Sequence, residues 1–332
     1  MRAHCTRLTT ACLWAIWCFG GPPAAGQQVP DRDFKVAVAD PTYKNTHPRL
    51  LFDEAHFNVH TTQGSYKTFV DLVTSDGYQV TVNDRPFDGK VLAGYDILVI
   101  SNARGAPRPS EKPAFTDAEC DAIGDWVQGG GALLLVTDHY PTGHAAENLA
   151  KRFGVEMSKG TTSDPAHTPP GTVGGVLLFS RDEKSLGDHP ITRGRNESER
   201  INRVATFTGQ SLKGPAGSVA LLKFSDTAVD RLPGGAGNVS GPADLPPARA
   251  LGRRRPAAAE APTVSAAGRS QALALGFGQG RVVVLGEASQ ITAQRVGPQQ
   301  RPMGMNYPNC DNRQWTLNIM HWLSGLLPLG DP

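Results

Sequence analysis

Gly129-Gly130-Gly131-Ala132-Leu133-Leu134-Leu135-Val136-Thr137-Asp138-His139 is the stretch on which the fold turns. Three glycines end a helix, and five apolar residues follow without a polar break. The run then stops on a hydroxyl, a carboxylate and an imidazole. A strand without alternation is one buried on both faces, as in a parallel sheet covered by helices on each side. Its polar end then falls where open α/β sheets bind ligands, beyond the carboxyl ends of the strands.

Outward from this strand the same logic repeats. Thr116 followed by Glu119 has the capping-box spacing, which predicts a helix from Thr116 to Gln128. Arg49–Phe52, Tyr78–Val82 and Tyr95–Ile100 read as further strands, with a helix over Tyr66–Thr74 and another over His144–Phe153. The second half predicts strands at Val173–Phe179 and Val219–Phe224 in an antiparallel extension. A hairpin follows, made of Gln271–Phe277, Gly278-Gln279-Gly280 and Val282–Leu285, and then a closing helix over Gln314–Leu323. About 231–268 the chain is rich in Gly, Pro, Ala and Arg without periodicity, and reads as a flexible insertion.

The N-terminus carries Arg2 and Arg7, an apolar run from Leu8 to Gly21, and small residues through Gly26. These are the parts of a cleavable secretory signal over residues 1–26, and the run is too short to span a bilayer. Residues 27–332 then form a single exported domain, periplasmic or secreted. Losing the signal reduces 33 basic residues to 31, against 31 acidic ones. Such neutrality argues against nucleic acid or anionic membrane as an obligate partner. No later stretch predicts a transmembrane anchor. Only Cys120 and Cys310 stay, either disulfide-linked or as separate thiols.

Ionisable and amide side chains collect at the predicted strand ends. The first strand end supplies Asp53, Glu54, His56, Asn58 and His60. The third supplies Ser101 and Asn102, the fourth Asp138, His139 and His144, and the late strand Glu287. Asn306 and Asn312 precede the last helix. His139 suits a general base held by a carboxylate, although Asp138 equally suits a helix cap. Glu287 suits a ligand contact or an arginine partner. His56 and His60 have metal-ligand spacing only if helical, and their polar context predicts a loop. No HExxH or CxxC motif supports a metal. No cofactor is expected, and a divalent ion stays a secondary expectation.

The segments LLFDEAHFNVHT, GGGALLLVTDH, DHPITRG, GQGRVVVLGEASQITAQ and GMNYPNCDNRQWTLNIMHWLSG resemble exported bacterial proteins of unknown function with a class I glutamine amidotransferase-like domain, DUF4350-type or related. The resemblance covers roughly residues 35–325, the insertion excepted. It implies a flavodoxin-like three-layer sandwich, with a mostly parallel sheet and an antiparallel extension. Amidotransferases of this fold carry a nucleophilic Cys at a strand-to-helix elbow. The matching elbow here, Val136-Thr137-Asp138-His139-Tyr140, has neither Cys nor Ser. Glutamine hydrolysis through a thiolate is therefore not expected.

Three functions compete on these grounds. The first is binding of a small polar ligand, such as a carbohydrate or wall fragment, at the strand ends. The second is a hydrolase using His139 or His56 with Asp138 and Glu287, with or without metal. The third is a scaffold domain with an envelope protein partner, which fold alone cannot decide.

Overall fold

The computed structural model describes residues 28–108, 110–172, 175–233 and 261–330. The secretory signal expected over residues 1–26 lies outside the described residues. Five strands pair in parallel, in the order Gln79–Asn83, Arg49–Asp53, Ile97–Ser101, Ala132–Val136 and Gly280–Leu285. In chain order this is second, first, third, fourth, fifth. The sheet then turns antiparallel. Ser270–Phe277 pairs with Gly280–Leu285 across the expected hairpin and also receives Val219–Lys223 and Leu212–Lys213, with Glu156–Met157 at the edge. The hairpin needs Gly278, whose φ is +58° and whose added Cβ would sit 2.6 Å from Gln128 O.

Helices cover both faces of the parallel strands, which explains why Ala132–Val136 is apolar throughout. Leu134 and Val136 pack with Phe69 and Val73 of the Lys67–Ser75 helix and with Trp315 and Ile319 of the Asn312–Leu323 helix. Leu133 and Leu135 pack on the other side, against Ile123 and Val127 of the Asp117–Gln128 helix and Leu149 of the Glu147–Arg152 helix. No helix among the described residues is long and apolar enough to cross a membrane.

Several expectations change. The His144–Phe153 helix is two short helices, Thr142–Ala145 and Glu147–Arg152. Val173 lies outside the described residues, and the strand begins at Val176. It does not extend the central sheet. Val176–Ser180 pairs with Arg203–Phe207 in a separate ribbon, because Leu177 and Phe179 are drawn into the core beneath the last helix. The predicted insertion is narrower than 231–268: Val229–Arg231 and Thr263–Ser265 are paired strands, Arg231 opposite Thr263, joined to Thr161–Ser163. Its centre, 234–260, lies outside the described residues. Another sheet gave no signal in the sequence, formed by Gln28–Pro30, Ala293–Val296 and Arg301–Gly304. Cys120 is buried, Cys310 is half-buried, and both are free thiols.

Candidate functional site

The strand ends divide the expected site residues into two groups. The first is a closed knot at the end of Arg49–Asp53. Both ring nitrogens of His56 face carboxylates, with Nδ1 2.9 Å from Asp53 and Nε2 2.9 Å from Glu119. Donating from both nitrogens requires the imidazolium form. Burial pushes the His56 pKa down, but the bonds and charges of Asp53 and Glu119 outweigh this, and the net shift is upward. Asp53 also accepts from Asn58 Nδ2 at 3.0 Å and Asn83 Nδ2 at 3.2 Å. The imidazole lies between Phe87, stacked at 5.0 Å, and Phe115 at 4.7 Å. With its donors and acceptors all engaged, the knot holds the loop after the first strand in place.

Glu119 in this knot was legible only as a helix cap. Its Oε2 accepts from Thr116 N and Oγ1, as the capping box requires, while Oε1 takes His56 Nε2 and Phe87 N. Nothing in the local pattern announces the second role, because its partner lies 63 residues away.

The second group converges at the ends of neighbouring parallel strands. Ser101, Val136 and Leu285 are aligned across the sheet. Just beyond them lie Asn102, Asp138 and Glu287. Asp138 does not cap the following helix: its Oδ1 takes the His139 amide at 2.8 Å, and its carboxyl also receives the Ala288 amide. Among the described residues Glu287 has no arginine partner. It is wholly buried and accepts from Ser289 N at 2.6 Å and Gln290 N at 2.8 Å. Burial raises both carboxyl pKa values, and the nearby charge of Asp138 adds to the effect on Glu287. Poor solvation together with like charge favours the protonated form of Glu287. Tyr66 closes the back of the group, donating to Ala288 O at 2.7 Å.

His139 stands at the opening, its side chain 18 % exposed. Its Nδ1 lies 2.9 Å from Tyr140 O, while Nε2 is 3.5 Å from Asp138 Oδ1, longer than a hydrogen bond. Asp138 therefore does not orient His139 as a carboxylate orients a general base. On another wall His60 stacks on Tyr66 at 4.8 Å and bonds Ser65 Oγ, and burial lowers its pKa to about 4, so the ring is neutral. Asn102 has left-handed backbone (φ +47°) and a buried Oδ1 without a hydrogen-bond partner. Its amide reaches Val136 O and its carbonyl receives Val59 N, which ties the His56 loop to the elbow.

The other expected residues stay outside this convergence. Glu54 accepts from Thr62 N and Oγ1 within its loop. His144 bonds Glu111 O at 3.0 Å on the surface. Asn306 holds Asp31 and Gln294 O beside the Gln28–Pro30 strand. Asn312 bridges Ala205 and Gln290 O under the last helix. Among the described residues, no group of three or more His, Cys, Asp or Glu side chains is disposed to hold a metal ion.

Gln210 is a residue that sequence reading passed over. Its Nε2 donates to Thr137 Oγ1 at 2.8 Å and Asp138 O at 2.9 Å, and its Oε1 accepts from Lys159 N. It clamps the elbow from a strand-to-strand loop 73 residues away. Gly143 lets it approach, since a Cβ there would lie 2.4 Å from Gln210 Nε2. Gln210→Ala is expected to cost about 1–3 kcal/mol through unpaired buried groups, read as a shift in denaturation midpoint.

Neither Cys120 nor Cys310 lies on the Val136–Tyr140 elbow, and neither thiol is activated. Cys120 faces the core from the Asp117–Gln128 helix, and burial pushes both thiols up to about 11. Native protein at pH 7 is expected to react with iodoacetamide far more slowly than denatured protein, as timed alkylation with mass detection would show.

No family model matches the chain, and no curated protein matches it. Among solved structures it is similar to the mmIFT52 N-terminal domain, with a TM-score of 0.54 and 14 % identity, over 83 % of this chain and 97 % of that one. A protein described as ThuA-like from Bacteroides uniformis ATCC 8492 aligns with a TM-score of 0.41 and 13 % identity, over 88 % and 98 %. A candidate GMP synthase component from Thermoplasma acidophilum gives 0.41 and 9 %, over 85 % and 97 %. At these identities the likeness concerns the fold alone: a mixed α/β chain built on a sheet with parallel and antiparallel strands.

Proposed function

We propose that this chain is an exported, amidotransferase-like domain that binds a small polar ligand at the carboxyl ends of its parallel strands, without cysteine chemistry. The observation that carries the reading is the Asp138–Glu287 carboxyl pair at the ends of adjacent parallel strands, opened to solvent through Asp138 and His139. A protonated carboxyl donates a hydrogen bond and an ionised one accepts, so a carboxyl with a raised pKa offers both roles. That versatility suits hydroxyl-rich ligands such as carbohydrates or wall fragments. The strand order and the helices on both faces support a flavodoxin-like three-layer sandwich, in which ligands bind at this edge. The N-terminal residues 1–26 support export.

A hydrolase using the same residues is the second reading, favoured by the perturbed carboxyls beside an imidazole. The 3.5 Å separation of His139 from Asp138 places it behind binding. One experiment separates them. The chain and its Asp138→Asn variant are screened against monosaccharides and wall fragments by thermal shift, with product analysis of every hit. Ligand-dependent stabilisation lost in the variant, without turnover, is expected. Turnover lost in the variant would establish the hydrolase, and no response to any ligand would remove the binding reading. N-terminal sequencing of the exported protein tests cleavage after Gly26.

A further inference from the structure

We propose that Phe57 and Val59 form an apolar subsite beside the strand-end carboxyls, on which the second ring of an oligosaccharide stacks. The proposal rests on the ligand reading above and narrows it from a single sugar to a chain of two or more.

The loop after the Arg49–Asp53 strand is turned inside out. From His56 to His60 polar and apolar residues alternate, and the polar ones are the buried ones. His56, Asn58 and His60 are 7, 8 and 6 % exposed, whereas Phe57 is 49 % and Val59 47 % exposed. Apolar burial as the driving force of folding gives the reverse order. Phe57 is also held at φ +52°, a left-handed backbone that costs a residue with a side chain about 1–2 kcal/mol.

Hydrogen bonds fix the loop in this orientation from both sides. His56 is locked between Asp53 and Glu119, and Asn58 Nδ2 donates to Asp53 at 3.0 Å and to Ser101 O at 3.2 Å. Arg104 Nε donates to Phe57 O at 3.1 Å, and the Arg104 and Gly105 amides donate to His56 O. A loop ordered before the ligand arrives loses little freedom on binding it.

The same bonds place the subsite next to the elbow. Val59 N donates to Asn102 O at 3.0 Å, and Asn102 N donates to Val136 O at 2.9 Å. Asn102 alone thus bridges the loop to the strand end that leads into Asp138. That bridge spans about one strand spacing of 4.8 Å, and Phe57 lies two residues, up to about 7 Å, beyond Val59. A pyranose ring is about as wide as one strand spacing. A ligand held at Asp138 therefore meets Phe57 through its next ring.

The chemistry of the ridge selects a sugar. A pyranose carries its hydroxyls around the rim and C–H groups on its faces, and those C–H groups meet the negative face of a phenyl ring. The hydroxyls stay in water or reach the carboxyls. A protein partner would need about 800 Å² of surface on this chain, which two side chains do not offer.

The test is a calorimetric titration of the purified full chain with two matched pairs, glucose with cellobiose and N-acetylglucosamine with its β-1,4-linked dimer. In at least one pair the dimer is expected to bind at least about tenfold more tightly than the monomer, or about 1.4 kcal/mol. Phe57→Ala should remove that gain and leave monomer affinity unchanged, and Phe57→Trp should keep it. Both variants change a half-exposed side chain, and a thermal melt checks that each is folded. A dimer gain that is absent in both pairs, or that survives in Phe57→Ala, would overturn the subsite. If Asp138→Asn abolishes binding while Phe57→Ala changes nothing, the ligand reading stands and the subsite falls. If no sugar of either pair binds by about 10 mM, both fall.

Discussion

Replacing His56 by alanine is expected to lower the unfolding free energy by about 3–5 kcal/mol, the range for removing one member of a buried charge group. Asp53 and Glu119 would be left without the imidazolium that balances both. Each keeps other donors, Asn58 and Asn83 for Asp53 and Thr116 and Phe87 for Glu119, which places the loss toward the lower part of that range. Phe87 and Phe115 would lose the ring they enclose, adding a cavity cost in the same direction. The pH dependence carries the sign. Because the His56 pKa is raised in the folded chain, its contribution is fully present below the unfolded value of 6.5 and is lost as pH rises through the folded value. Urea unfolding at pH 6 and pH 9 should therefore show the variant closer to the parent at the higher pH. A pH-independent difference would refute the imidazolium bridge.

The second large effect concerns Glu287. Its folded pKa stands well above 4.5, through burial and then through Asp138, so it stabilises the fold below the unfolded value and loses that contribution as pH rises through the folded one. Each pKa unit of displacement corresponds to about 1.4 kcal/mol. Glu287→Gln keeps one acceptor for the Ser289 and Gln290 amides and cannot ionise. It is expected to be equal to or slightly less stable than the parent near pH 4, by about 1 kcal/mol, and more stable near pH 9. The crossing of the two stability curves is the readout. His56 titrates in both proteins, so it cancels from the comparison. Parallel curves between those pH values would mean that Glu287 is ionised throughout.

Local chemistry decided what the sequence could disclose. Ala132–Val136 could only be a doubly covered strand, and Thr116 with Glu119 could only begin a helix. Asp138 and Glu287 were readable as strand-end carboxyls because a single apolar strand points at each. Their mutual proximity was not, since it depends on Gly280–Leu285 inserting beside a strand almost 150 residues earlier in the chain. Gln210 and the second role of Glu119 were invisible for the same reason: one amide or one carboxylate has no period. The ribbon Val176–Ser180 with Arg203–Phe207 shows the complementary failure, a strand recognised correctly but assigned to the wrong sheet. Alternation tells which face is apolar, not which neighbour covers it.

The pairing of Arg231 with Thr263 has a consequence for how this chain can vary. Thr161–Ser163, Val229–Arg231 and Thr263–Ser265 pair with one another apart from the central sheet. Exchanges on these three strands that spare their main-chain bonds therefore leave the strand-end carboxyls in register, because the parallel strands alone set that register.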